Sequence, residues 1–316
     1  MTLEEVVKKF KTNPKYLRNG AGNLSKRWKC SVKDINEARL ILKLENIKKQ
    51  STEIKQTSED IKVKRLFFDI ETSPNIGFFW KSGYGLNIGP ENIISERAVI
   101  CVCYKWEDED KVHYVTWDED QNDKLVIKEL AKILEEADEV IAHNGDSFDI
   151  KWLRTRALYH RIRFPYRIRT LDTLKKARNA FSFNSNKLDY IGKFLGVGEK
   201  VDNGGFGLWK DIILNKSDEA LDKMVEYCMG DVILLQDIYS EIHSYIHKNT
   251  SFAVLNGRPK WRCVECISDK VKLRKSSATV MGVIKRHMIC KDCGCQYDIS
   301  NKTYQDFLSR NLKNKE

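Results

Sequence analysis

The feature that most constrains the fold of this 316-residue chain is an apolar run that ends in two carboxylates. The run extends from Val63 to Ile70, and Asp69 and Glu71 stand two residues apart at its end. Successive side chains of a β-strand point to opposite faces, so residues two apart share a face. The run therefore predicts a strand that presents two carboxylates on one side of a sheet.

Two later segments place further polar groups on other predicted elements. An apolar strand at residues 140–142 and the turn-rich sequence from Asn144 to Ser147 place Asp149 in the first turn of a helix. Tyr227 and Asp231 are four residues apart in a helical pattern over residues 217–242, which puts them on one helix face. Each segment thus directs its polar side chains to one side of its element.

Four carboxylates and one phenol in this order suit metal-assisted hydrolysis of a phosphodiester. Two hard divalent cations about 3.5 to 4 Å apart can stabilise both the entering and the leaving oxygen of that reaction. Mg²⁺ and Mn²⁺ prefer carboxylate and water oxygens, so they also remove the repulsion among the acids. A single Asp-x-Glu pair is usually a solvated strand end, and a single Tyr-x-x-x-Asp pair is weaker still. The three segments together favour catalysis.

These segments also resemble those of a known family. Phe68 to Thr72, Asn144 to Asp149 and Tyr227 to Asp231 are similar to the three motifs of the DEDDy group of 3′-5′ exonucleases, best known as proofreading domains of family B DNA polymerases. The resemblance covers residues 63–245, including the segments 170–174 and 187–196. The insertion at residues 73–98 resembles stand-alone phage members, and about 70 residues after the third motif are too few for a polymerase.

The resemblance implies a role for each motif residue. It implies that Asp69 bridges two Mg²⁺ or Mn²⁺ ions, that Glu71 and Asp231 complete the first metal site, and that Asp149 holds the second ion through water. Tyr227 would orient the attacking water. The positions that match substrate-binding residues of the family are Thr72, Asn144 and Phe148.

Nearby polar residues have simpler interpretations. Asp172 is expected to cap the following helix, since Ser, Thr and Asp are good N-caps, although a place in the acidic site stays open. His143 and Asp146 are expected to be structural, and Cys228 to be a small packing residue.

The periodicity predicts an α/β fold, an RNase H-like mixed sheet flanked by helices. Three apolar runs, at residues 63–70, 98–106 and 111–117, form a predicted meander. Further strands are expected at 139–143 and 166–169. Helices are expected at 122–136, 147–159, 171–179, 187–195 and 217–243. Aromatic residues at 78–80 in the insertion suit either base stacking or anchoring of the loop to the core.

The positive charge lies outside the predicted catalytic region. The chain has a formal net charge of +10, but residues 63–245 have 25 basic and 31 acidic side chains. Residues 1–62 have 15 basic and 8 acidic side chains, and residues 246–316 have 15 and 6. Basic flanks can hold a polyanion near an acidic centre, or can simply be solvated surface.

Paired cysteines near the C-terminus predict one structural zinc ion. Cys263-x2-Cys266 and Cys290-x2-Cys293 offer four thiolates, the ligand set of a structural zinc site. Cys295 is an alternative to Cys293 as the fourth ligand. Disulfides are not expected, because no signal peptide is recognisable and the odd total of nine cysteines fits a reducing compartment. Residues 246–316 are therefore interpreted as a basic zinc ribbon.

Residues 1–48 suggest a helix-turn-helix segment. An apolar helix at residues 3–10 is followed by a break at Cys30 and Ser31 and by a second helix from residue 32 to about residue 47, with Ser31 as its N-cap. Docking to DNA and docking to protein, or a purely structural role, are equally open. Residues 49–62 have the composition of a flexible linker.

The expected activity is metal-dependent 3′-5′ exonuclease hydrolysis, at single-stranded DNA 3′ ends. An RNA exonuclease or a structure-specific nuclease on the same core is an alternative, and a non-catalytic DNA-binding or replication scaffold protein is an alternative of another class. The expected partners are DNA and a polymerase or other replication protein. No apolar stretch reaches the length of a membrane span, and a cytoplasmic location, within a host cell for a phage-encoded protein, is expected.

Overall fold

The structure is a computed structural model that describes residues 1–18, 20–42, 45, 62–83, 85–201, 204–248 and 250–313. The chain divides into two compact units, Met1–Ile61 and Lys62–Glu316. The linker predicted at residues 49–62 lies outside the described residues except for Lys62. No helix in the described ranges is long and apolar enough to cross a membrane.

The first unit is a small bundle of helices. Helix α1 spans Leu3–Thr12, a 3-10 turn spans Pro14–Arg18, α2 spans Ala21–Trp28 and α3 covers residues 32–42. Its buried residues are Val6, Phe10, Leu24, Trp28, Ile35 and Ala38. Ser31 is the predicted N-cap, since its Oγ accepts a hydrogen bond from the Asp34 backbone N–H at 3.0 Å. Helix α2 was not predicted, because its eight residues include Gly22 and Asn23, which are poor helix formers.

The second unit contains a five-stranded mixed sheet. Its strands are β1 (Arg65–Thr72), β4 (Val99–Trp106), β5 (His113–Thr116), β6 (Glu139–Ala142) and β7 (Thr170–Asp172). Their order is β5-β4-β1-β6-β7, with β4 antiparallel and β6 parallel to β1. The short strands β2 (Ile76–Gly77) and β3 (Ile93–Ser95) pair within the insertion. The predicted meander is confirmed, and β1 is the central strand.

Helices surround this sheet. They are α4 (Lys124–Glu136), α5 (Asp149–Tyr159), α6 (Thr173–Ala180), α7 (Leu188–Leu195), α8 (Gly207–Leu214) and α9 (Asp218–Ile242). Helix α9 lies against β1 and β4. The strand predicted at residues 166–169 is wrong by several positions, because the parallel register with β6 places residues 170–172 opposite residues 140–142. Helix α8 was not predicted, since the glycines at 204, 205 and 207 obscure its start.

The C-terminal segment adds a second, smaller sheet. A short helix, α10 (Phe252–Leu255), precedes β8 (Val271–Ala278), β9 (Ile284–Cys290) and β10 (Gln296–Ser300), and α11 (Asn301–Lys313) follows. The strands form an antiparallel sheet in the order β10-β9-β8. One side of this sheet buries Val271, Met288 and Ile299 in a core that also contains Phe307 of α11.

A buried ion-pair network joins this segment to β1. Arg65 donates to Glu139 at 3.1 Å and forms a 2.9 Å pair with Glu265, and Lys248 forms a 3.0 Å pair with the same Glu265. The Tyr239 hydroxyl of α9 donates to Glu265 at 2.6 Å. All of these charged side chains are at least nine-tenths buried. Buried charges persist when they are paired and hydrogen-bonded, so the network fixes the C-terminal segment against the sheet.

Candidate active site and metal-binding clusters

The end of β1 carries the first two predicted carboxylates on one face. Asp69 lies opposite Cys103 and Glu71 lies opposite Cys101 in the register with β4. Helix α9 covers this face and contributes Asp231, which is buried. One carboxylate oxygen from each of Asp69, Glu71 and Asp231 can be chosen so that all three lie within 4.8 Å of one another. The structure thus brings together residues that are up to 162 positions apart in sequence.

Asp149 is held beside this cluster by the backbone of β1. It is the first residue of α5, is buried, and accepts a hydrogen bond from the Ile70 backbone N–H at 3.3 Å. The preceding turn needs glycine, because a Cβ on Gly145 would lie 2.4 Å from the Ala142 Cβ. Asn144 has a φ of 72°, in the left-handed region. The turn therefore sets the start of α5 close to the end of β6.

Asp172 fixes the same turn from the neighbouring strand. Its Oδ1 accepts hydrogen bonds from the Leu174 and Lys175 backbone N–H groups, so the predicted helix cap is confirmed. The same oxygen accepts from the Asn144 backbone N–H at 3.0 Å. His143 bonds to the Thr173 hydroxyl at 2.9 Å. Both residues support the loop on which Asp149 depends.

Helix α9 contributes Tyr227 together with Asp231, and a lysine lies between them. Lys200 donates to the Asp231 Oδ2 at 2.5 Å and to the Tyr227 hydroxyl at 3.1 Å. The sequence did not point to Lys200, because a lysine in a glycine-rich loop has no distinguishing pattern. Lys200 lies just beyond the segment 187–196 that resembles the exonuclease family. This proximity was the sequence signal that could have indicated a place for Lys200 near the site.

Burial and mutual repulsion make the acids hard to ionise. Burial, followed by Asp231, raises the pKa of Glu71 to about 7. Burial likewise raises the pKa of Asp149 to about 7. Burial and then the charges of Asp149 and Glu71 raise the pKa of Asp69 well above its ordinary value. Burial also raises the pKa of Asp231, despite the nearby charge of Lys200. Raised pKa values are typical of carboxylates that are buried close to one another.

The phenol and the lysine keep their protons. Burial, followed by Asp231, raises the pKa of Tyr227 to about 12. Burial works against the charged form of Lys200, but the Asp231 carboxylate outweighs it and leaves the lysine pKa above its ordinary value. At neutral pH the site therefore holds an ammonium group and a neutral phenol beside the carboxylates.

The donor atoms of the carboxylate cluster fit a hard divalent cation. The Asp231 Oδ1 is buried and has no hydrogen-bond partner among the described residues, whereas a buried carboxylate oxygen ordinarily has one. The donor atoms are carboxylate oxygens, the ligands that Mg²⁺ and Mn²⁺ prefer. A cation would satisfy the orphaned oxygen and relieve the repulsion that raises the pKa values of the acids.

The three predicted substrate contacts lie around this cluster on two elements. Thr72 follows Glu71 on β1, and its carbonyl accepts a hydrogen bond from the Trp209 indole at 3.0 Å. Asn144 and Phe148 lie at either end of the turn before Asp149, and both are half-buried. The Phe148 ring packs against the main core.

A cavity of about 570 Å³ adjoins the carboxylates through Lys200. It lies between α6 and α7, and its polar lining includes His143, Arg178, Asn186 and Lys187. Arg178 and Lys187 give the cavity two cations besides Lys200, whereas the carboxylate of Asp189 in its lining is paired with Lys193. This balance of charge suits an anionic ligand. Arg178 and Lys187 were not singled out in the sequence, since isolated basic residues on helices are usually solvated.

The four cysteines predicted to bind zinc converge in the C-terminal segment. The Sγ atoms of Cys263, Cys266, Cys290 and Cys293 lie within 4.8 Å of one another. Two of the closest approaches are 3.5 Å for Cys263–Cys293 and 3.6 Å for Cys266–Cys290. Four thiol groups at this spacing match the ligand set of a tetrahedral zinc site.

Three other buried thiols lie close to the carboxylates, on β4 and α9. The sulfurs of Cys101, Cys103 and Cys228 also lie within 4.8 Å of one another. The Cys228 thiol donates to the Asp69 backbone carbonyl at 3.5 Å. Cys228 is buried against β1, which agrees with a packing role.

Comparison with known proteins identifies the family. No curated protein matched the chain. Solved structures that match include that of the family B DNA polymerase from the hyperthermophilic archaeon Pyrobaculum calidifontis, with 16% sequence identity and a TM-score of 0.45. That match covers 58% of this chain and only 25% of the polymerase chain. A family model described as the RNase_H superfamily matches residues 66–243. The chain therefore belongs to the RNase_H superfamily.

Proposed function

We propose that the chain is a metal-dependent 3′-5′ exonuclease that hydrolyses single-stranded DNA from its 3′ end. The observation that carries this proposal is the cluster of Asp69, Glu71 and Asp231 oxygens, with a buried oxygen of Asp231 that has no partner among the described residues. Membership of the RNase_H superfamily and the motif resemblance support a nuclease. A non-catalytic scaffold would have no need for four carboxylates packed at this cost.

Each acidic residue has a place in holding two Mg²⁺ or Mn²⁺ ions. Asp69 is central, because its carboxylate neighbours those of Glu71 and Asp231 and lies close enough to Asp149 for their charges to interact. The bound cations would neutralise the phosphodiester charge and lower the pKa of the attacking water. Asp69 would contribute to holding both ions, Glu71 and Asp231 would hold the first, and Asp149 would hold the second.

Tyr227 and Lys200 act beside the cations. The Tyr227 hydroxyl accepts a hydrogen bond from Lys200, so its direction is fixed before substrate arrives. With its pKa at about 12 the phenol stays neutral, and it can hold the attacking water by a hydrogen bond. The charge of Lys200 faces the same space and favours a phosphate oxygen there.

The substrate strand would enter past the turn that ends at Asp149. Thr72, Asn144 and Phe148 surround this end of the sheet, where an amide, a hydroxyl and a ring can hold the terminal sugar and base. The cavity lined by Arg178 and Lys187 offers cations for the next phosphates. Contacts of this kind to a sugar and a base would suit an unpaired 3′ terminus.

The flanking segments have separate proposed roles. The four C-terminal cysteines would bind one structural Zn²⁺ and make the last segment a zinc ribbon. The first unit would act as a helix-turn-helix docking element, for DNA or for a replication protein such as a polymerase.

End-blocked substrates test the activity. Single-stranded DNA and RNA labelled at the 5′ end are incubated with Mg²⁺ or Mn²⁺, with either the 3′ or the 5′ end blocked. We expect stepwise shortening of DNA that stops when the 3′ end is blocked and when EDTA is added. Shortening only of RNA would assign the activity to an RNA exonuclease on the same core. Shortening that a 3′ block leaves unchanged, or no hydrolysis with either metal, would overturn the proposal.

A further inference from the structure

The open side of the C-terminal sheet carries a row of cations. In the antiparallel register Lys275 lies opposite His287, and Lys285 lies opposite Ser277, so these side chains share one side. Lys272 lies on the same side, opposite Ile289. We call Lys272, Arg274, Lys275 and Lys285 the cationic face. The other side of the sheet buries Met288 and packs on α11, so the cationic face is the one that solvent reaches.

A β-bulge concentrates the charge at the centre of this face. The register between β8 and β9 shifts between Leu273 and Lys275, which leaves Arg274 as an extra residue. A bulge re-aims side chains, so the two consecutive cations can both reach the open side. The Arg274 guanidinium donates to the side chain of Gln296. Gln296 lies opposite Ile289 of β9 and therefore on the same side of the sheet as Lys272.

Among the residues that the structure describes, Lys272, Arg274, Lys275 and Lys285 form no ion pair. The ion pairs in the described part of this region use Arg262, Lys270 and His287. Asp298 is an acidic residue on the same side of the sheet, and its carboxylate bonds to His287 at 2.5 Å. Lys275 and Lys285 are exposed and keep their charges available for a polyanion.

A cavity at the edge of the face extends it toward the catalytic region. The cavity has a volume of about 360 Å³, and its lining includes Arg274, Lys275, His247 and Thr250. Lys248 also lines it and is paired with Glu265, which is paired in turn with Arg65 at the start of β1. Asp69 is four residues along β1 from Arg65, on the order of 13 Å at the rise of a β-strand. The cavity is thus joined by these pairs to the start of the strand whose other end carries Asp69 and Glu71.

We infer that the cationic face binds the phosphate backbone of a single nucleic-acid strand and holds it beside the catalytic region. Exposed cations along a sheet, with hydroxyl and histidine donors in an adjoining cavity, match backbone contacts, which carry no sequence information. Val280 and Met281 at the tip of the β8–β9 hairpin are fully exposed apolar side chains that can lie against bases. The sugar is not distinguished by these groups, so strands of DNA and of RNA are both ligands.

Salt-dependent binding tests the inference without any need for hydrolysis. Fluorescence anisotropy in EDTA would measure the affinity of the full chain for labelled oligo-dT and oligo-rU over a range of salt concentrations. Each lost phosphate contact removes about 0.7 from the log–log salt slope of a single strand. The double variant Lys275→Gln, Lys285→Gln should bind both strands more weakly and lower the slope by about 1.4.

A matched variant distinguishes the effect of the cationic face on binding from the effect of the net charge of the protein. Lys302→Gln with Arg310→Gln removes the same charge from α11, where both side chains are exposed. This control should bind with a slope close to that of the wild type. Zinc content by elemental analysis shows that the C-terminal segment of each variant is intact. An unchanged slope in the Lys275, Lys285 variant with zinc still bound, or an equal loss in the control, would overturn the inference and leave the face to a protein partner. Loss of binding with intact hydrolysis separates this inference from the exonuclease proposal.

Discussion

At the scale of single residues, the candidate site consists of acidic side chains whose pKa values are raised above their ordinary values. Asp69, Glu71, Asp149 and Asp231 share one end of β1, and burial raises the pKa of each. Cations make such a cluster stable, so the removal of one acid should affect metal binding and chemistry together.

Asp69→Ala should reduce hydrolysis by several powers of ten and leave the fold intact, because Asp69 is assigned to both cations. Steady-state rates on labelled single-stranded DNA would measure the loss, and circular dichroism would verify folding. Asp146→Ala is the matched control, since Asp146 lies on the adjacent turn but pairs with Lys175 at 2.8 Å. Comparable rates for Asp69→Ala and the wild type would exclude the assigned role.

Tyr227→Phe should be milder, with a loss of about 10²-fold in the rate at saturating substrate. The change removes the hydroxyl that Lys200 holds but removes no metal ligand. Metal affinity, measured by calorimetry, should therefore stay near the wild-type value. A loss equal to that of Asp69→Ala in a folded protein would show that the phenol does more than orient water.

The residues of the acidic motifs could be predicted from the sequence, but Lys200, which contacts two of them, could not. Asp69, Glu71 and Asp231 converge because strand and helix periodicities fix where their side chains point. Lys200 comes from a loop, where sequence has no period to indicate direction. Asp172 was predicted as a cap, but its second bond to the Asn144 backbone depends on the parallel register of β6 and β7.

At the scale of elements, β1 connects the two chemical centres of the second unit. Its first residue, Arg65, binds the C-terminal segment through Glu265, and its last residues include Asp69 and Glu71. Glu265 lies between Cys263 and Cys266, so the turn that brings these two cysteines together also positions this buried carboxylate. Order at the cysteines should therefore matter for β1.

Cys290→Ser should lower the zinc content from about one ion per chain and loosen the C-terminal segment. Elemental analysis and hydrogen exchange over residues 262–300 would measure both effects. Cys30→Ser, which alters a cysteine of the first unit, is the matched control. Wild-type protein purified without chelator and free of zinc would contradict the proposed site.

Glu265→Ala should destabilise the second unit by about 3–5 kcal/mol, because it leaves Arg65 and Lys248 buried without their shared partner. Urea unfolding would measure the change. Glu129→Ala breaks a pair with Lys132 on the exposed side of α4 and should cost less than about 1 kcal/mol. Equal effects for the two variants would mean that the network contributes nothing beyond a surface pair.

At the scale of the whole molecule, the acidic cluster links stability to pH. Glu71 and Asp149 ionise near their ordinary pKa values of 4.5 and 3.8 when unfolded, but at about 7 when folded. The folded state retains protons that the unfolded chain releases, so the stability that these groups confer is present at low pH and is lost as pH rises toward 7. Added divalent cation should restore it, more at pH 8 than at pH 5.

The double variant Glu71→Gln, Asp149→Asn isolates this effect from other titrating groups. In EDTA, the wild type should lose stability relative to the variant between pH 4 and pH 7, on the order of 1–3 kcal/mol for each carboxyl. Urea unfolding at a series of pH values would measure the difference. A wild type that gains stability over the variant in this range would show that the folded site does not raise these pKa values.

The mixed sheet and its flanking helices followed from periodicity, because most of their elements are long and regular. The junction between the C-terminal segment and the sheet was not predictable in this way. Arg65 and Glu265 are 200 positions apart, and neither is one of the residues by which a motif was recognised. A contact of that kind depends on how two surfaces meet, and no local pattern encodes it.

The Arg65 network also bears on how such a protein can change over evolutionary time. A catalytic region that buries an arginine against a carboxylate from its own appendage cannot exchange that appendage freely. A replacement module that covers Arg65 without an acid at the position of Glu265 would remove one of the carboxylates that pair with Arg65 and leave it with Glu139 and Glu107. Related chains whose C-terminal module buries this end of β1 without an acid should therefore carry an uncharged residue at position 65, so that the first residue of the central strand reflects the module packed against it.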